Sequence, residues 1–189
     1  MIDQAGFWQS DLLRRAQELQ RRRHQKVWRD QSLGRLEQLV MVGFYCVRKL
    51  IESRKLSSQL LADTIRLDAF KPRSKSVTLL NWHRLHELYD FEQVNVTNIS
   101  LVDLCHQFVH SYVFCPVFST RGALSGILIA SDRQKRKGLL HVRIKVIAGL
   151  FQRVGEDDTN HMVMTLNAKT GDYDVVRTVS AGRLTSGCS

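Results

Sequence analysis

Residues 101–114 read LVDLCHQFVHSYVF and crowd several reactive side-chain types together. His106 and His110 are four apart, which on a helix places both imidazoles on one face, one turn from each other. An imidazole titrates near neutrality, so such a pair can accept a proton from one oxygen and deliver one to another. Three readings of the pair stand open. Both histidines are ordinary, partly exposed residues of a packed helix. Alternatively they form a catalytic face. Or they are half of a metal site completed by Cys105 and by His83 and His86 of NWHRLHELYDF, since histidines at i and i+4 make a workable half-site. No CxxC pair and no HExxH accompanies them, so neither a metal nor another cofactor is expected. A glycine-rich phosphate loop, a GxSxG elbow and a kinase signature are missing as well.

The charge balance suggests the kind of partner. The chain has 189 residues, 28 Lys and Arg against 18 Asp and Glu, and a formal net charge of +10. A field of that sign attracts phosphate-rich molecules, so nucleic acid is one expected partner, and the alternative is a basic, non-binding surface whose charge keeps the protein soluble. The positive side chains are densest near the N-terminus. Arg14, Arg15, Arg21, Arg22, Arg23, Lys26 and Arg29 fall on the polar side of a predicted helix whose apolar stripe is Trp8, Leu12, Ala16, Leu19 and Val27. These seven are the candidate nucleic-acid contacts, and the narrow stripe favours a nucleic acid or protein partner over a membrane surface. No apolar run is long enough to span a bilayer. The start of the sequence lacks the basic-then-apolar order of a signal peptide, and the four cysteines are scattered, which fits a reducing, cytoplasmic setting.

The His110-Ser111-Tyr112 triplet, approached by the apolar Phe108 and Val109, resembles the end of the HEPN-domain motif. That motif runs from an arginine across a short spacer to a histidine, often written R-N-x-x-x-H and followed by x-Tyr. Here Cys105 stands at the arginine's position and His106 at the asparagine's. The resemblance covers one helix and, by general character, the helix expected over 33–55. It implies a metal-independent endoribonuclease of a toxin or phage-defence system. His110 would be the proton-transfer group, His106 or Arg48 would supply the missing cation, and Tyr112 would orient the phosphate. It also implies a homodimer, because HEPN sites form where two copies meet. The alternative is a non-enzymatic interaction module, an accessory protein of a mobile element that uses the basic helix to hold a partner.

The elements that must position these groups follow from periodicity. Residues 4–30 and 33–55 read as helices, the second with Leu36, Val40, Phe44, Val47 and Ile51 on one face. Gly43 in its interior is costly unless something packs closely against it. SVTLL (76–80) reads as a short strand and NWHRLHELYDF as one or two helical turns or an ordered loop. Ser100 is a natural N-cap for a helix through the histidines, with Leu101, Leu104, Phe108, Val109 and Tyr112 turned inward. After Pro116 the period becomes two. LSGILIAS and LLHVRIKVI form a hairpin about DRQKRKG, AGLFQRVGEDD is a short helix, and a second hairpin turns at NAKTGD. The fold class is therefore α+β, N-terminal helices followed by an antiparallel β-rich part. The expected organisation is a basic helical arm over 1–30, a single domain over 31–180 and a loose tail over 181–189.

Overall fold

The computed structural model describes residues 4–180 and has the predicted α+β order. Four helices carry the first layer: α1 (Ala5–Arg22), α2 (Asp30–Glu52), α5 (Leu101–Val109) and α6 (Ile144–Gly155). Two short ones, α3 (Ser58–Ala62) and α4 (Leu85–Leu88), lie in connections. Strands β1 (Thr64–Pro72), β2 (Tyr89–Ser100), β3 (Ser111–Phe118), β4 (Leu124–Ser131) and β5 (Leu139–Arg143) form one sheet in the order β2-β1-β5-β4-β3. Every neighbouring pair is antiparallel. A separate hairpin, β6 (Thr159–Asn167) and β7 (Asp172–Ser180), follows.

Strand alternation divides the apolar side chains between two cores. Ile65, Leu67, Ile127, Ile129, Leu140 and Val142 point from the sheet to α1, α2, α5 and α6. Phe70, Val113, Leu128, Ala130 and Leu139 point the other way, under Leu85, Leu88 and Tyr89. The helical layer is locked by aromatics. Phe44 of α2 stacks on Phe108 of α5 with centroids 3.9 Å apart and planes within 7°, and Phe151 of α6 meets Phe44 edge-on at 5.1 Å. All three rings are fully buried, each worth about 1.5–3 kcal/mol of transfer free energy. Gly43 has the close neighbour its place in a helix requires, because the Phe151 ring lies where a Cβ would stand.

Several expectations need correcting. The first helix ends at Arg22 rather than near 30. A turn closes through His24 and Gln25, Val27 is exposed, and Trp28 packs on Phe118 at 5.3 Å while its indole N–H donates to the Gln25 carbonyl. Leu12, Ala16 and Leu19 of α1 are buried in the main core, so the basic helix is part of the domain and not a free arm. The second helix runs over Asp30–Glu52 rather than 33–55. SVTLL forms no strand: the Asn81 side chain accepts from the Thr78 N–H and donates to the Ser76 carbonyl, folding 76–82 into a turn. The histidine helix stops at His110 and the chain continues as β3, so Tyr112 belongs to a strand. The alternation of LLHVRIKVI lasts only to Arg143, where α6 begins. The first hairpin, the Ser100 cap and the NAKTGD hairpin stand as read. The tail proposed for 181–189 lies outside the described residues. Among the described residues no helix is long and apolar enough to cross a membrane.

Candidate active site

The local chain at α5 determines which way the histidines face. The Ser100 hydroxyl accepts from the Asp103 N–H at 3.0 Å and donates to its carboxylate at 2.7 Å, closing the first turn. Leu101, Leu104, Cys105 and Phe108 turn inward and are almost wholly buried. The buried Gln107 side chain accepts from the Ser131 N–H at 3.1 Å and ties the helix to the end of β4. With that face committed to the core, His106 and His110 are left outside, and both are exposed. Their ring centroids are 4.6 Å apart and their planes 49° from parallel.

Arg48 of α2 joins them. Its Nη1 lies 3.0 Å from His110 Nε2. A guanidinium only donates, so His110 accepts at Nε2 and carries its proton on Nδ1. The Arg48 Nε donates to Glu52 Oε1 at 2.6 Å, and Glu52 also takes Lys49 at 2.9 Å. The bonds from Lys49 and Arg48 hold the Glu52 carboxyl below its ordinary range. The phenylalanine stack that joins α2 to α5 thus sets the distance between the guanidinium and the imidazole. His106 is held below the usual histidine value of 6.5, first by desolvation and then by His110, Arg133 and Arg48, with Asp103 opposing. It is therefore mostly unprotonated at neutral pH and free to accept a proton.

An open groove of about 520 Å³ lies at His106, lined also by Asp103, Gln107, Ser131, Arg133 and Lys137, with Arg48 and His110 outside its lining. The turn between β4 and β5 supplies its cations. The two imidazoles stand side by side, Arg48 lies at His110, and Arg133 and Lys137 share the groove with His106. That is a set suited to binding a phosphodiester and moving protons about it.

The other candidates are placed elsewhere. Cys105, at the position of the HEPN arginine, faces the core and burial pushes its thiol up to about 12, so it supplies neither cation nor thiolate. Tyr112 is not brought to the histidines. It packs in the second core with the Lys135 ammonium 3.2 Å over its ring, while its neighbour Ser111 faces Met41 of α2. His83 and His86 lie in the segment around α4, which covers the sheet face opposite α5. Among the described residues no three His, Cys, Asp or Glu side chains assemble a metal site.

The basic run of α1 is distributed unevenly. Arg14 and Arg15 pair with Asp11, and Arg21 and Arg22 pair with Glu18. Arg15 also donates to the Leu39 carbonyl. Arg23, Lys26 and Arg29 have no ion-pair partner among the described residues and are the more available to a phosphate. From the sequence Arg48 is expected only as a substitute cation, and Glu52, Arg133 and Lys137 are not expected at the site. The i,i+4 spacing of Arg48 and Glu52 and the density of DRQKRKG were the available signals. Comparison of the chain with family models, with curated proteins and with solved structures found no match.

Proposed function

We propose that this protein binds RNA and cleaves its phosphodiester bonds without a metal at Arg48, His106 and His110. The observation that carries the reading is the 3.0 Å contact between Arg48 Nη1 and His110 Nε2, beside a second imidazole 4.6 Å away. It supplies from α2 the cation that the histidine helix lacks. In the reaction, His106 takes the proton of a ribose 2′-hydroxyl and O2′ forms a bond to phosphorus. The P–O5′ bond breaks and His110 delivers a proton to the departing O5′, leaving a 2′,3′-cyclic phosphate and a 5′-hydroxyl. The phosphate draws Arg48 onto its equatorial oxygens, which frees Nε2 of His110 to take a proton from solvent before the reaction; the imidazolium so formed gives that proton to O5′, and the proton taken by His106 returns to solvent afterwards. Arg48 then stabilises the charge of the phosphorane. The exposed faces of both histidines leave room for a second copy of the chain opposite them, as the HEPN resemblance implies.

The test is incubation of purified protein with mixed RNA in excess chelator, beside His106→Ala and His110→Ala. Losing a general acid or base slows turnover by about 10²–10⁴-fold. Cleavage that persists with chelator and collapses in both variants supports the reading. Cleavage abolished by chelator, or equal in all three proteins, refutes it.

One observation favours the interaction-module reading. The β6–β7 hairpin leaves Met164, Leu166 and Val176 exposed, and a two-stranded ribbon with an uncovered apolar face suits a protein partner.

A further inference from the structure

A second basic groove adjoins the one that holds His106. The turn over 132–138 separates them, with Arg133 and Lys137 on the first flank and Lys135 and Arg136 on the other. The second groove, about 450 Å³, has the segment 72–78 as its far wall, with Arg73, Lys75 and the hydroxyls of Ser74, Ser76 and Thr78. Its cations are weakly compensated. Arg73 is 3.8 Å from Asp90 and Lys75 is 3.6 Å from Glu87, while Arg136 has no ion-pair partner among the described residues.

The dividing turn is rigid. Tyr89 Oη donates to the Lys135 carbonyl at 2.8 Å from inside the second core. Lys135 Nζ pairs with Asp132 at 2.8 Å and caps the Tyr112 ring, and the Gln134 N–H is taken by Ser131 Oγ. The buried lysine thus holds the turn in place and leaves Arg136 outward.

The chain that leaves this groove at Thr78 is apolar and exposed, and the Trp82 N–H returns to donate to the Thr78 carbonyl at 3.0 Å. Leu79, Leu80 and Trp82 are 79%, 85% and 41% exposed on the turn that Asn81 pins at Thr78. An exposed indole anchored through its backbone to the end of a row of cations and hydroxyls suits single-stranded nucleic acid, phosphates in the groove and bases stacked on the ring. A duplex hides its bases and would leave these side chains without a counterpart.

We infer that this second groove binds the flank of a single-stranded RNA whose scissile phosphate lies at Arg48, His106 and His110. Arg73, Lys75 and Arg136 contact its phosphates, and Trp82 stacks on one of its bases. The inference rests on the RNA reading above and extends it to a substrate longer than the cleaved step. A dinucleotide fills only the histidine site, whereas a dodecamer crosses the 132–138 turn into the second groove.

The experiment measures binding of a labelled single-stranded RNA dodecamer by fluorescence anisotropy across a salt series, and in parallel the cleavage of a dinucleotide. The proteins are the parent, the Arg73→Gln/Lys75→Gln/Arg136→Gln variant and Trp82→Ala. All three substituted cations are at the surface, and melting curves check that each variant is folded. Losing three phosphate contacts should flatten the slope of log affinity against log salt by about 2, at roughly 0.7 per contact on a single strand. Trp82→Ala should weaken dodecamer binding by roughly 5–150-fold through the lost stacking. Dinucleotide turnover should stay at the parent's level in both. A triple variant with the parent's salt slope and affinity overturns the inference while leaving the RNA reading standing. Dinucleotide turnover that falls in step with dodecamer binding also overturns it. A parent that neither binds the dodecamer nor cleaves the dinucleotide overturns both.

Discussion

Gly43→Ala sets two effects of opposite sign against each other at the helix that carries Arg48. Gly43 sits in the interior of α2, and alanine is favoured over glycine there by about 1 kcal/mol. On helix propensity alone the substitution stabilises. An added Cβ, however, falls inside the van der Waals envelope of Cε2 and Cζ of Phe151. That ring is fully buried and set edge-on against Phe44, which is itself stacked on Phe108, so it has no free space to enter. Overpacking a core of this kind costs about 1–3 kcal/mol, and a clamped ring belongs at the upper end. The net expectation is a loss of about 2 kcal/mol, which lowers Tm by roughly 4–8 °C in a chain of this size. Thermal unfolding followed by circular dichroism reads it directly. In a Phe151→Leu background the obstacle is smaller, and the same Gly43→Ala change should become neutral or stabilising. A Gly43→Ala protein that melts at or above the parent would show that Phe151 does not hold α2 against α6 as described.

Further outcomes follow from the same packing and from the site. Phe44→Ala and Phe108→Ala each remove a fully buried ring and should cost about 3–5 kcal/mol, visible as a fall in Tm of roughly 6–20 °C; variants that melt like the parent contradict the stack. Ser100→Ala removes the N-cap of α5 and should cost about 0.5–2 kcal/mol, read by the same melts, with an unchanged midpoint as the contrary result. His106 binds its proton more weakly folded than unfolded, so its contribution to stability is lost as pH falls through the window at and below 6.5 and is absent from the pH dependence above it. Acting as a base, it should give an acid limb of the rate profile with a midpoint below 6.5, and an NMR titration of its ring should agree; a midpoint above 6.5 contradicts the site's electrostatics.

The parts of this fold that were legible in the sequence are those whose pattern is local. The stripe of Leu36, Val40, Phe44 and Val47 and the Ser100 cap each announce themselves within a dozen residues, as does the hairpin at NAKTGD. The errors have identifiable causes. In VRIKVIAGLF the apolar residues fit both a period of two and the helical set Ile144, Ile147, Ala148 and Phe151, and packing against Phe44 and Gly43 decides for the helix. Strand β2 was missed because it is an edge strand with Val94 and Val96 exposed, so no burial pattern marks it. Tyr112 was assigned to the helix because its spacing from Phe108 continues the stripe, yet the helix ends at His110. The histidine pair was visible because it lies within one helical turn. The partner that makes it a candidate site, Arg48, lies 62 residues earlier and is brought to it by the tertiary packing of α2 on α5, the Phe44–Phe108 stack included.

The most direct test of the account is the chemistry of the product. A short single-stranded RNA is incubated with the protein in chelator and the reaction is followed by phosphorus NMR. A matched oligomer carries 2′-O-methyl groups at every ribose. The account predicts that the RNA yields 2′,3′-cyclic phosphate resonances, that the methylated oligomer remains intact, and that Arg48→Gln and His110→Ala each suppress the reaction while remaining folded. Intact RNA after prolonged incubation, or cleavage of the methylated oligomer at the same rate, would contradict it.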